Sequence, residues 1–235
     1  MLEFEIINEL TLKVICKGND VLFTKAGAFI GGESRGGKNY NFEKLLLGPQ
    51  SSIGQALLGS LVRHVTGENL PLMKVTMSGD SATYYANFGQ HVVVYKLNQG
   101  EVVSVESENL LAFTQDCEYS TRFIGRGIVS QKGLFTSTLT GHGSNAYVAL
   151  LSDGNPLVLS NVNNGNTLSV DPDAVICWFS QNGYGDPQIR TDISWKTFIG
   201  QHSGETYAFE WSGSTPVSVL IQPSERSGGI RVGID

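Results

Sequence analysis

The feature that most constrains this chain is the alternation of short β-forming runs with clusters of turn residues. The runs are rich in β-branched and aromatic residues, as in LTLKVIC, HVVVYKL, NAYVALL and AVICWFS. Clusters such as NQGE, SDGNP and NNGN separate them, and their glycine, asparagine and aspartate residues close tight turns. Because 28 of the 235 residues are glycine, such turns can be frequent. We predict an all-β fold of mostly antiparallel strands.

One segment departs from this pattern and has the spacing of a helix. Apolar residues recur every four positions from Ile53 to Val65. Pro49 precedes the segment and Gly67 follows it, which suits the two ends of a helix. The spacing predicts one amphipathic helix over residues 51–66.

The chain also repeats itself faintly. The run VESENLLAF from Val105 aligns with VDPDAVICW from Val170 and with FTKAGAFIG from Phe23. A second set of aligned runs surrounds three glycines: Gly79, Gly141 and Gly213. The alternative interpretation is chance, because any β-rich chain aligns with itself at some offset.

The repetition predicts three similar β modules over residues 1–90, 91–155 and 156–235, with the helix inserted in the first. A module of this size is marginally stable alone and gains by burying a face against its neighbours. We therefore expect one compact body with a pseudo-threefold arrangement and a shared apolar interior.

Charge and cysteine content exclude several classes of function. Sixteen lysines and arginines against 22 aspartates and glutamates give a net charge of −6, which repels nucleic-acid phosphates and anionic lipids. Glu3 and Glu5 stand where a signal peptide has positive charge, and no apolar run is long enough to span a membrane. We predict a cytoplasmic protein that binds neither nucleic acid nor membranes, with Cys16, Cys117 and Cys177 as buried free thiols.

Hydrolase and metal-site residues occur without the patterns that these sites need. Residues Gly32–Gly36 fit G-x-S-x-G, but no helix pattern begins at Ser34, so a glycine-rich loop is the preferred interpretation. The four histidines are isolated and form no H-x-H pair. His142, between two glycines, is the one we single out, with an ordinary imidazole in a tight turn as the alternative. We assign no catalytic, cofactor-binding or metal-ligating residue.

Two pairs of charged residues are weaker candidates. Arg35 and Lys38 lie in GGESRGGK and suit weak anion binding, although the run lacks P-loop spacing. An exposed loop is the alternative. Glu106 and Glu108 alternate in strand-like sequence, so both would face one side, as acid–base chemistry or a bound cation requires. Solvated charges that keep the protein soluble are the preferred interpretation of this pair.

Three long runs resemble the altered-inheritance-of-mitochondria family. They are GLFTSTLTGHGSNAYVALL from Gly133, SVESENLLAF from Ser104 and LLGSLVRHVTGENLPLMKVT from Leu57. The resemblance covers most of the chain in the same order. It implies a fold similar to that of the tryptophan RNA-binding attenuation protein, with three modules like double-stranded β-helices. It supplies no catalytic or ligand residue, and the acidic composition argues against RNA binding.

The sequence therefore favours a binding or assembly scaffold with no cofactor and an unknown ligand. Exposed edge strands are expected to pair with a protein partner or with further copies of the chain, because β modules must cover, charge or pair their edges. The alternative is an enzyme or a metal-dependent small-molecule-binding protein with a site between modules.

Overall fold

A computed structural model describes residues 1–45, 71–125, 134–190 and 208–223. In these residues nearly all regular structure is β-strand, which confirms the all-β class. The helix predicted over residues 51–66 lies outside the described residues. None of the helices in the described segments has the length and apolar character needed to cross a membrane.

Within each described range short turns connect most successive strands, and the described residues include two 3₁₀ helices. In chain order the elements are β1 (Leu2–Ile7), β2 (Thr11–Lys25), β3 (Phe29–Ser34), β4 (Tyr40–Lys44), β5 (Leu72–Tyr85), β6 (His91–Lys96), β7 (Val102–Val105), a 3₁₀ helix (Ser107–Asn109), β8 (Leu110–Thr114), β9 (Cys117–Gly125), β10 (Leu134–Gly141), β11 (Tyr147–Ser152), β12 (Leu157–Ser160), β13 (Leu168–Val170), a 3₁₀ helix (Pro172–Ala174), β14 (Val175–Ser180), β15 (Gln188–Arg190), β16 (Ala208–Trp211) and β17 (Ser218–Ile221).

The longest pairing is the antiparallel ladder between β2 and β5. It runs from the pair Leu12 and Tyr85 to the pair Lys25 and Leu72. Because both strands are long, each accepts two shorter neighbours along one edge, β1 and β8 on β2, and β3 and β4 on β5. The sheet continues through β11 to β6 and has eight strands.

Two further sheets complete the fold and show the same pairing pattern twice. A six-stranded sheet has the order β12-β17-β14-β7-β10-β9, and a three-stranded sheet has the order β13-β16-β15. The pairs β6–β11, β7–β10, β8–β11 and β9–β10 correspond to β12–β17, β13–β16, β14–β17 and β15–β16. The aligned runs from Val105 and Val170 thus have equivalent structure: each starts at the last residue of a strand, passes through a 3₁₀ helix and continues into the next strand. The expected module boundaries at residues 90 and 155 both fall between strands.

The first module departs from this pattern because β2 and β5 run on without a break. Strand β2 pairs with β8, as β7 pairs with β14, so each link between successive modules is a strand pair. The corresponding third link, between β13 and β3, is absent from the described strands. The pseudo-threefold arrangement therefore remains a prediction.

Three apolar clusters lie on the faces of these sheets. The first includes Leu12, Val14 and Leu111, the second Leu110, Cys177 and Leu220, and the third Trp178, Phe209 and Trp211. Consecutive residues of β8 face different clusters, Leu110 the second and Leu111 the first. Strand β14 divides its side chains in the same way, with Cys177 in the second cluster and Trp178 in the third. Strands that are buried on both faces have continuous apolar sequence, which is why these runs do not alternate. Strands β8 and β14 therefore each bury side chains in two clusters.

A polar contact also joins β9 to the loop that precedes β15. The guanidinium of Arg122 donates to both carboxylate oxygens of Asp186, at 2.6 and 2.7 Å, and lies 3.6 Å from the centre of the Tyr184 ring. The Trp178 indole donates to the Tyr184 carbonyl at 3.0 Å. Bidentate pairing and stacking make this arrangement specific for arginine. The loop is therefore held from both the second and the third module.

At each of the three aligned glycines the local backbone disfavours any residue with a side chain. Gly79 has a φ of 57°, in the left-handed region. A Cβ on Gly141 would lie 2.5 Å from the carbonyl oxygen of Asn98, and a Cβ on Gly213 would overlap the carbonyl oxygen of Gly165. These glycines allow strand ends and loops to approach closely.

Replacing Gly213 by alanine should destabilise the protein, because the obstructing atom belongs to the backbone and cannot rotate away. We expect the Gly213→Ala variant to lose about 1–3 kcal/mol of unfolding free energy in urea denaturation. Gly18→Ala is the control, since a Cβ on Gly18 meets no atom within 4 Å, and it should change stability by less than about 0.5 kcal/mol. Equal losses in the two variants would contradict the packing argument.

The three cysteines are free and buried, as predicted. Burial raises the pKa of Cys117 to about 11 and that of Cys177 well above its ordinary value, because desolvation disfavours the thiolate. The Cys117 and Cys177 thiols are therefore neutral parts of the apolar core.

The raised pKa of Cys117 predicts a loss of stability in alkali. The unfolded thiol ionises near pH 9 and the folded one near pH 11, so the stabilisation is complete below pH 9 and is lost as the pH rises to 11. Across that interval the unfolding free energy of wild type should fall further than that of Cys117→Ala, by up to about 3 kcal/mol. Parallel stability–pH curves would show that Cys117 ionises equally easily in both states.

Candidate functional site

A groove lies where the eight-stranded and six-stranded sheets end. Its two sides are β6 and β12, the outer strands of these sheets. Within the described residues each lacks a strand partner on one edge, although the Val92 amide of β6 donates to the Glu9 carbonyl at 2.8 Å. The groove has a volume of about 270 Å³. Its lining residues are Tyr95, Lys96, Glu101, Val158, Phe179, Ser218 and Leu220.

Strand register builds one wall of this groove. Val158 of β12 is paired with Leu220 of β17, and Ser218 of β17 with Phe179 of β14. Paired residues project from the same face of a sheet, so all four side chains face the second apolar cluster. Tyr95 approaches from β6, and its ring centre lies 4.9 Å from that of Phe179. The groove is thus the open end of the second cluster.

The floor of the groove is neutral and its charges lie at the rim. Burial, and to a smaller extent the nearby Cys177, raises the pKa of Tyr95, so its phenol stays protonated. Glu101 accepts two hydrogen bonds at 2.9 Å from the main-chain and side-chain nitrogens of Asn98. The Lys96 ammonium is exposed, 5.7 Å from the centre of the Tyr147 ring. Such a site suits an apolar group, above all an aromatic ring.

Strand β12 adds an apolar rim. Leu157 is 56% exposed and Val158 is 60% exposed, although they project to opposite faces of the strand. Val162, just beyond the strand, is also exposed. Edge strands usually carry lysine, proline or inward-facing charge as protection against pairing, and LVLS contains none of these. The strand is open to another chain.

Arg35, one of the sequence candidates, lies in a different cleft. This cleft is wider, about 540 Å³, and its charged lining also includes Lys13, Lys17, Glu33 and Asp80. Both lysines form ion pairs with carboxylates of β1, at 3.2 and 2.9 Å. With three cations and two carboxylates in its lining, the cleft has no strong preference for an anion.

The remaining residues of the glycine-rich run lie outside that cleft's chemistry. The Lys38 ammonium is 5.5 Å from the centre of the Tyr40 ring, a cation–π contact, and does not line the cleft. Ser34 ends β3, and its hydroxyl donates to the carbonyl of Gly37 within the following turn. No helix begins there: Gly32, Glu33 and Ser34 lie in β3 and the turn follows at Arg35, so the hydrolase arrangement is absent from this segment. The anion-binding role of Arg35 and Lys38 remains a prediction.

His142 lies at the surface, directly after β10. Its Nε2 is 2.7 Å from a carboxylate oxygen of Glu118, and both side chains are exposed. Across the described segments no group of three histidine, cysteine, aspartate or glutamate side chains is placed to hold a metal ion. The geometry is that of a surface ion pair, which contributes little to stability.

Glu106 and Glu108 do not have the strand geometry expected for them. Strand β7 ends at Val105, and Glu108 lies within the 3₁₀ helix that follows Glu106. A 3₁₀ helix has about three residues per turn, so residues two apart do not face one side. The main-chain carbonyl of Glu108 accepts a hydrogen bond from Lys25 at 2.8 Å. The same-face argument for this pair was wrong because a turn, not a strand, contains it.

None of the residues that line the groove was a sequence candidate. They come from β6, the turn after it, β12, β14 and β17, and only long-range strand register brings them together. One local signal was present. The apolar run Leu157–Leu159 follows a proline and carries no guarding charge.

Comparisons with known proteins give a family and a fold. Residues 4–224 match the family model described as mitochondrial biogenesis AIM24. A crystal structure of a protein from Streptococcus pyogenes, determined by a structural genomics consortium, aligns with a TM-score of 0.65 at 16% sequence identity. The alignment covers 96% of this chain and 94% of the other. At that identity the likeness shows the fold alone. No curated protein matches the chain.

Proposed function

This chain belongs to the mitochondrial biogenesis AIM24 family, and we propose that it is a binding and assembly scaffold that associates with further copies of itself. Membership confirms the family resemblance drawn from the sequence runs. The contact surface in this proposal is the groove together with the neighbouring edge of β12.

The observation that carries the proposal is the exposure of β12. Two consecutive residues, Leu157 and Val158, each leave more than half of their surface in water. Water contact with apolar side chains is unfavourable by roughly 25 cal/mol per Å², so covering this rim favours association. The unpaired edge adds main-chain donors and acceptors that a second strand can satisfy.

We extend the proposal to architecture and location. The same strand-pairing pattern occurs twice along the chain. This supports three related modules about a pseudo-threefold axis, each like a double-stranded β-helix of the attenuation-protein fold. The acidic composition supports a cytoplasmic protein whose partners are proteins rather than nucleic acids or membranes.

A second candidate function is small-molecule binding in the same groove. It is favoured by the position of the groove between the second and third modules and by its volume, about 270 Å³, close to the lower limit of ligand pockets. An enzyme or a metal-dependent protein would use this site. If small aromatic compounds raise the melting temperature of wild type but not of Phe179→Ala, that result would support small-molecule binding. Purified protein that contains no metal and shows no such rise would rule this function out.

The assembly proposal predicts that Val158→Lys separates the copies. A lysine at this position places a charge on the rim, and burying that charge in a contact is costly. Light scattering across a wide concentration range should show association in wild type and a monomer in the variant.

Ile30→Lys is the matched control. Ile30 is 59% exposed on β3, the outer strand at the far end of the eight-stranded sheet, so the change is chemically the same at a different edge. It should associate as wild type does. A wild type that stays monomeric at every concentration, or a Val158→Lys variant that associates like wild type, would end the proposal.

A further inference from the structure

Phe88 is an aromatic residue in a place that the fold does not explain. It lies in the turn between β5 and β6, and its side chain is 100% exposed. Exposed aliphatic residues are common in proteins, but a large aromatic ring wholly in water is costly and typical of a contact surface.

The backbone at Phe88 is also unfavourable for this residue. The amide of Gln90 donates to the carbonyl of Asn87 at 2.9 Å, which closes a four-residue turn. Both central residues have positive φ, 45° at Phe88 and 72° at Gly89, as in a type I′ turn. That turn favours asparagine before glycine, and a bulky residue there is strained. Phenylalanine is therefore retained against the local conformational preference.

Neighbouring side chains hold the turn in place. The Asn87 amide donates to Gln90 at 2.7 Å, and the Gln90 amide donates to Asp153 at 2.9 Å. His91, at the start of β6, lies 3.1 Å from the side-chain oxygen of Asn155. Because these contacts tie the turn to the loop between β11 and β12, the ring is presented on an anchored support. A preorganised group loses less entropy on binding.

The groove offers the complement to this ring on the same molecule. A cavity of about 150 Å³ already accommodates a benzene ring, and the groove has about 270 Å³ with Tyr95 and Phe179 on its walls. Phe88 cannot be using the groove of its own chain, since its side chain is fully exposed. The turn and the groove lie toward opposite ends of β6, which is about 17 Å long.

Carboxylates lie near both surfaces. Asp153 and Glu9 lie beside the turn, Asp153 bonded to Gln90 and Glu9 3.8 Å from His91. Glu101 lines the groove and accepts two hydrogen bonds from Asn98 in its own loop. The exposed ammonium of Lys96 lies over the Tyr147 ring, on the face of β6 opposite Tyr95. Salt that screens the like charges should therefore strengthen a contact between the turn of one copy and the groove of another.

We propose that Phe88 of one copy inserts into the groove between β6 and β12 of the next, so that the chain assembles head to tail. This inference rests on the proposed assembly function and specifies its contact. Because the inserted residue and the receiving groove are different surfaces, one end copy of an open chain keeps a free Phe88 and the other a free groove until the chain closes into a ring.

The test uses two variants, each lacking one half of the contact. Phe88→Asn removes the ring and places the preferred residue in the turn, so its melting temperature should equal or exceed that of wild type. Val158→Lys blocks the groove and keeps the ring. Each alone should associate at least tenfold more weakly than wild type. Mixed in equal amounts, they should form a heterodimer and nothing larger, because only one productive contact is available, as light scattering would show.

The control mixes Phe88→Asn with the double variant Phe88→Asn and Val158→Lys, which must stay monomeric because no chain carries the ring. If Phe88→Asn associates as wild type does while Val158→Lys does not, the head-to-tail contact is wrong and assembly through β12 stands. If both single variants are monomeric and their mixture yields no heterodimer, the head-to-tail contact is again wrong. If wild type is itself monomeric, both proposals fail.

Discussion

The structure depends on strands that are buried on both faces. Leu110 and Leu111 are neighbours in β8, yet they belong to different apolar clusters, and Cys177 and Trp178 divide in the same way on β14. Each of these strands therefore packs against two apolar clusters, one on each face. A single module would leave one face of such a strand in water, at a cost of about 1.5–3 kcal/mol for each large side chain. Neighbouring apolar clusters are consequently joined through the strands that they share.

The order of strands in the sheets also determines which strand edges lack a hydrogen-bonding partner. Interior strands such as β8 and β14 have partners on both sides, so the open edges move to the outer strands of the sheets. Two of these outer strands, β6 and β12, flank the open end of the second cluster. The groove follows from the way the sheets end, and its lining residues come from four strands and one turn. This explains why the groove is built from ordinary core-type residues such as Leu220 and Phe179.

The sequence predicts those features that are encoded locally. Alternating runs and turn clusters predict the all-β class, and the runs from Val105 and Val170 do have equivalent structure, with a 3₁₀ helix between two strands. The close backbone approach at Gly213 has a sequence signal too, because glycine is the residue that permits it. The groove has only the unguarded apolar run of β12 as a signal, since Tyr95 and Leu220 meet only through the register of several long-range pairs. Glu106 and Glu108 misled for the related reason that a 3₁₀ turn interrupts an apparent strand.

The turn at Phe88 shows how a local conflict can indicate function before any ligand is known. A type I′ turn favours asparagine at this position, and the Phe88 side chain is 100% exposed, so neither local preference nor the core of the described residues accounts for phenylalanine. A head-to-tail contact accounts for both the exposure and the strain. It also sets a limit, because each added copy brings a net charge of −6 and the repulsion accumulates at low ionic strength. Salt that screens this repulsion should therefore lengthen the assemblies until the geometry of the contact closes them into a ring.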